Sequence, residues 1–324
     1  GGHARRWAAR FAQQLPIILA AGINFGVLAL LFLQVAYYRA FYPATILMAW
    51  PWFSIVLGLV FAYSGVYLYA IGIHNGTPSR LQRAAGGIAA LLFLWEGFTF
   101  ANGLSLMTHV DGWQDIWRRT SIAGAPLGIG LNLSDPTLWP RWLMLFSLAL
   151  TSTGAYAVID AAFFAQRESE EYRRWAGDFA FKVFTAGLLG FAIFGSWYVF
   201  GTWHPPVRQT MFHGPALLLT TATALSPGLP WLLLFLGRRQ LSKRLAAWII
   251  PAQYTVLAIN AWSRQLVQNL ELRPYLDVAA EPVHMQWGAL LLFLGLFLLG
   301  LAVLAWILQI SWKAVRAPEP PSRT

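Results

Sequence analysis

The sequence predicts an all-α integral membrane protein, and three observations point there. About eight apolar runs, each about 20 residues or longer, follow one another between short charged connections; a hydrocarbon core about 30 Å thick takes about 20 helical residues to cross. The chain is 57% hydrophobic and only 11% charged, too little charge to cover a soluble protein of 324 residues. The runs are also continuous rather than alternating, which argues against a closed β-barrel, the other architecture that satisfies its backbone in lipid.

The expected spans are residues 16–38, 45–73, 83–107, 139–166, 175–203, 211–236, 244–266 and 287–312. Ahead of the first, residues 1–15 are basic and amphipathic, with no small-residue cleavage site after a short apolar core. They read as a cytoplasmic segment along the inner membrane surface rather than a signal peptide. The longest connection, 109–138, holds Trp113 and Trp117 four apart, then Gly124, Pro126 and Gly128, and ends at Ser134-Asp135-Pro136. That is the pattern of a short interfacial helix followed by turns, serving either as contact for a peripheral partner or as a lid over helix ends. Residues 166–174 alternate in charge and leave four spans on each side. Two antiparallel four-helix bundles, 16–166 and 175–312, within a single membrane domain are the expected architecture. The Pro-rich end, 313–324, reads as a flexible cytoplasmic tail.

The formal net charge of +10 follows the membrane. One set of alternate connections collects Arg5, Arg6, Arg10, Arg80, Arg83, Arg167, Arg173, Arg174, Arg238, Arg239, Lys243, Arg244, Lys313, Arg316 and Arg323. The other holds Arg39, Arg118, Arg119, Arg141, Arg208, Arg264 and Arg273, several of them beside acids. By the positive-inside rule both termini are cytoplasmic, so the charge speaks of topology and not of nucleic acid. The absence of cysteine excludes disulfides, thiolate metal sites and covalent c-type haem attachment in this chain. The abundant aromatics, 17 Trp, 11 Tyr and 22 Phe, gather near span ends, as an interfacial belt does, with cofactor stacking open for a minority.

Ionisable groups at membrane depth are costly and few. Glu96 sits mid-span in Trp95-Glu96-Gly97-Phe98, either as a proton-relay or quinone-binding carboxyl or as a carboxyl hydrogen-bonded to Asn24, Asn102 or Gln253. Asp178 and Lys182, at i and i+4, are expected to form a structural ion pair. Asn260, Arg264 and Gln265 make a polar patch from which Arg264 would hold a quinone headgroup, a lipid phosphate or a partner carboxylate. His74 lies at an inner loop; His109, His204, His213 and His284 lie at outer span ends, poorly placed as haem ligands, in a spacing that matches no metal motif.

Across about the first five spans, Gly22-Ile23-Asn24-Phe25-Gly26-Val27 with Phe32-Leu33-Gln34, then Ala101-Asn102-Gly103, Pro140-Arg141-Trp142-Leu143-Met144 and Gly154-Ala155-Tyr156 recur in order and at matching intervals. In this the chain resembles subunit I of the cytochrome bd quinol oxidases. The resemblance implies a helical scaffold in the bacterial inner membrane that serves electron transfer. The departures imply lost ligands: Met144 stands where that family has the histidine of its quinol-side haem, residues 48–69 carry no acid, and 201–210 is a short turn in place of a long quinol-binding loop. The chain is also similar to eight-helix membrane subunits that accompany c-type cytochromes.

The expectation is therefore a non-catalytic or quinone-contacting subunit of an electron-transfer complex that anchors a periplasmic cytochrome. Its quinone or lipid pocket is expected at Asn24, Gln34, Glu96, Asn102, Met144 and Arg264, without haem. A haem b-bearing quinol dehydrogenase subunit and a transporter, with helices broken at Pro51, Pro227, Pro230 or Pro251, are the alternatives. Phosphate-loop, dinucleotide and metalloprotease signatures are absent.

Overall fold

The computed structural model describes residues 2–282 and 286–316, so His284 and residues 317–324 of the expected tail lie outside the described residues. Eight of its helical segments are long and apolar enough to cross a bilayer. The chain is an all-α, multi-pass membrane protein.

Helix α1 (Gly2–Ala36) joins residues 2–15 and the first expected span in one helix about 52 Å long at 1.5 Å per residue. Side chains of this extension explain why it stands on the fold. Arg10 donates to both carboxylate oxygens of Asp160 at 3.0 Å, Gln14 donates to the same carboxylate at 3.0 Å, and Trp7 packs on Phe179 with ring centroids 4.8 Å apart. Pro16 sits inside the helix, and its carbonyl accepts from the Tyr63 hydroxyl at 3.2 Å.

The second span is not the single run 45–73. A short helix α2 (Tyr38–Leu47) precedes α3 (Ala49–His74), and Met48 between them leaves helical geometry at φ −112°, ψ 37°. Pro51 falls in the first turn of α3, where a missing N–H is harmless. The long connection 109–137 satisfies the break: Trp50 N–H donates to the Gly128 carbonyl and Gly130 N–H to the Leu47 carbonyl, both at 2.8 Å. Gly128 reaches this position at φ 67°, which only glycine adopts freely.

Helix α4 (Arg80–Thr108) starts on a capping box between Ser79 and Gln82. The long connection then holds a short helix α5 (Trp113–Arg119) and a two-residue antiparallel pair, Ser121–Ile122 with Ala125–Pro126. Helix α6 (Leu138–Ile159) runs into a π-turn at Asp160–Phe164, and α7 (Glu170–Ser196) into another at Trp197–Thr202. After α8 (Pro205–Met211), the sixth span divides into α9 (Gly214–Leu225) and α10 (Gly228–Gly237) around Ser226 and Pro227. Helix α11 (Lys243–Leu272) carries Pro251 inside it.

The chain divides into two compact units: one reaches to Val278, and the other starts at Ala279 and carries α12 (Trp287–Arg316), on which the large apolar side chains between Leu291 and Trp312 are mostly exposed. Within the first unit the most extensive helix pairing is α6 with α7, which the charged stretch 166–174 joins. Small residues set this seam. A Cβ added to Gly187 would meet the Ser147 carbonyl at 2.7 Å, and one added to Gly154 would meet the Ala180 carbonyl at 2.9 Å. The expected ion pair between Asp178 and Lys182 does not form; both side chains are exposed, and no salt bridge joins them.

Candidate functional site

The polar face of α11 is where intramembrane chemistry gathers. Arg264, Gln268 and Glu271 follow one another at i, i+4 and i+7, a spacing that stacks them along one side of the helix. Facing them, the first turn of α6 supplies Arg141 and the π-turn after α7 supplies Tyr198, both buried. The wider π geometry at Trp197–Thr202 turns Tyr198 toward this cluster, a use to which such turns are often put.

Arg141 donates to Glu271 at 3.3 Å and to the Tyr198 hydroxyl at 3.1 Å, and its guanidinium lies 5.3 Å from the Tyr198 ring centroid. That guanidinium is thus neutralised and held over an aromatic face. Arg264 differs. Among the described residues no carboxylate lies within 4 Å of it and no side chain or backbone group bonds its guanidinium.

Arg264 and Tyr198 form a partition between two cavities. The first, about 370 Å³, is mostly apolar, with Met144, Phe191, Trp203 and Phe212 in its wall and Asn260, Ser263 and Arg264 as polar groups. The second, about 420 Å³, lies between Leu30 and Leu33 of α1, Phe100 of α4, and the Arg141, Arg264, Gln268 and Glu271 cluster. Both fall in the size range of small-molecule sites, with few polar groups in apolar walls. Further polar groups of the first come from Ser196 and Tyr198 and from Thr220 and Thr223 of α9, so its donors are drawn from three sides.

Of the six residues expected to share a pocket, Met144 and Arg264 meet in the first cavity. The other four do not join them. Asn24 is exposed and donates to the Ala20 carbonyl of its own helix, and Gln34 lines neither cavity. Asn102 anchors the long connection, its Oδ1 accepting from Asn132 N–H at 3.2 Å, while Asn132 in turn donates to the Ser105 hydroxyl at 3.0 Å. Glu96 is buried between α4 and α3 with its Oε1 lacking any partner, close against Gly58. The expected hydrogen bonds from Asn24, Asn102 or Gln253 are not made, since Gln253 donates instead to Thr151 and Ser152 at 3.0 and 3.1 Å.

Sequence reasoning missed Arg141, Tyr198, Gln268 and Glu271. The helical spacing from Arg264 to Glu271 was the available signal for two of them; Arg141 passed as an ordinary outer-side charge. Histidine ligation of a haem at Met144 finds no support in the lining, because no histidine among the described residues borders the cavity that holds Met144. His109 pairs with Asn132 at 3.2 Å, and His213 contacts the Gln209 carbonyl at 2.6 Å. No family model, curated protein or solved structure matches this chain.

Proposed function

We propose that this chain is a quinone-contacting membrane subunit of a bacterial electron-transfer complex. It sits in the cytoplasmic membrane with both termini inside and anchors a c-type cytochrome on the periplasmic face. The observation that carries the reading is the first cavity, where an uncompensated arginine, Arg264, stands at one side of an apolar chamber bordered by Met144. The oxidase-like order of motifs in the first five spans supplies the electron-transfer context.

A bound quinone supplies reversible two-electron chemistry at its ring. The chain's own residues position it: Arg264 offers charged donors to a carbonyl oxygen, Asn260 and Ser263 offer neutral ones, and Phe191, Phe212 and Trp203 keep water from the ring. Arg141, tied to Glu271 and Tyr198, keeps the partition in place.

The test is extraction. Full-length protein purified from native membranes is expected to retain quinone near one per chain, and Arg264→Gln to lower its affinity about tenfold or more, the loss of a charge-assisted hydrogen bond. Stoichiometric haem intrinsic to the isolated chain, or solute flux in proteoliposomes without retained quinone, would replace the reading.

A further inference from the structure

The second cavity has more hydrogen-bond donors than acceptors to meet them. Arg264 borders it with no carboxylate within 4 Å among the described residues. Glu271, on the same wall, is already bonded to Arg141 at 3.3 Å. Gln268 lines this cavity and not the first, and its Nε2 is buried without a partner. Arg141 is tied to Glu271, and the other nearby carboxylate, Asp135, is bonded by Ser105 and Thr137, so neither directly compensates the positive charge of Arg264. Such a charge persists where a counter-charge or strong hydrogen bonds compensate it.

Depth sharpens the chemistry. Arg264 lies two residues inside the end of the apolar run 244–266, about 3 Å along the helix axis. A group at the end of a spanning run is near the level at which acyl chains give way to headgroups. Leu30, Leu33 and Phe100 continue the cavity wall as hydrocarbon.

We infer that the second cavity is a phosphate-oxyanion site, and that its occupant is the phosphodiester of an anionic lipid such as phosphatidylglycerol. Arg264 and Gln268 donate to the phosphate oxygens, and the acyl chains lie along the α1 and α4 wall. A phosphocholine headgroup is the poorer fit, because it brings its own cation beside two arginines. This goes beyond the quinone reading, which concerns the other cavity; Arg264 is shared between them.

The experiment follows thermal unfolding of the full-length protein in detergent while phosphatidylglycerol, phosphatidylcholine or inorganic phosphate is titrated in, with quinone content measured on the same samples. Phosphatidylglycerol is expected to raise Tm well above phosphatidylcholine. Arg264→Gln and Gln268→Leu are each expected to weaken that response about tenfold or more, while Arg264→Lys keeps much of it and Gln268→Leu keeps its quinone. Equal responses to the two lipids, or an unaltered response in both Arg264→Gln and Gln268→Leu, would overturn the site. A response to inorganic phosphate equal to that for phosphatidylglycerol would overturn the lipid as occupant. Loss of quinone from wild-type protein with the lipid response intact would count against the quinone reading alone.

Discussion

The α6–α7 seam and the polar face of α11 solve opposite problems in the same apolar solvent. Along the seam, Gly154, Gly187 and Gly190 bring two backbones so close that a single added carbon would collide with Ser147, Ala180 or Phe184. In lipid, where burial of apolar surface gives helices little reason to associate, such close van der Waals packing supplies the attraction. The face of α11 does the reverse: long polar side chains hold the neighbouring helices away and leave two chambers. Tight contact makes a scaffold, and arrested contact makes a place for something else.

The largest expected effect breaks the second region. Arg141→Ala leaves Glu271 in a mostly buried position without its cation, and removal of one partner from a buried pair costs about 3–5 kcal/mol. A fall in Tm of the purified protein measures it, and Arg141→Ala combined with Glu271→Ala should recover part of the loss. If the double variant is no more stable than the single one, Glu271 is not the group left stranded.

Breaking the first region comes next. Gly187→Val forces side-chain volume into the Ser147 and Thr151 backbone, and overpacking of this kind costs about 1–3 kcal/mol. The expected readout is a lower Tm with quinone retention per folded molecule unchanged, since Gly187 borders neither cavity. The smallest effect sharpens the contrast. Arg264→Gln removes a charge with no hydrogen-bond or ion-pair partner among the described residues, so in delipidated detergent its stability should stay within about 0.5 kcal/mol of wild type. A large destabilisation would mean that Arg264 belongs to the scaffold.

Hydropathy makes the eight spans readable because each run is long and nearly free of charge, and the helices follow it closely. It is blind to where a helix bends. The interruption at Met48 and the one at Ser226 and Pro227 fall inside continuous apolar stretches, and the first is stabilised by one hydrogen bond to the Gly128 carbonyl and one from Gly130 N–H, some 80 residues away in sequence. The site was half visible for a similar reason. A polar residue in a span announces a cost without saying what it faces. Arg264 faces cavities, Asn102 faces a returning loop, and Asn24 bonds its own backbone, yet in the sequence all three are polar residues within spans, with nothing to tell their surroundings apart. Arg141 was hidden by its position at a span end, where a charge needs no explanation until Glu271 folds against it.

The clamp of Arg10 and Gln14 on Asp160 has a mechanical consequence. From Arg10 to Gly26, which borders the second chamber, is sixteen residues of one helix, a rise of about 24 Å, with Pro16 between them. The latch to the π-turn that follows α6 fixes the helix on one side of Pro16, where the proline removes a rung of the backbone ladder, and so limits how far the chamber end can swing. The width of the chamber at its far end is therefore governed in part by an ionic latch on the opposite side of the protein.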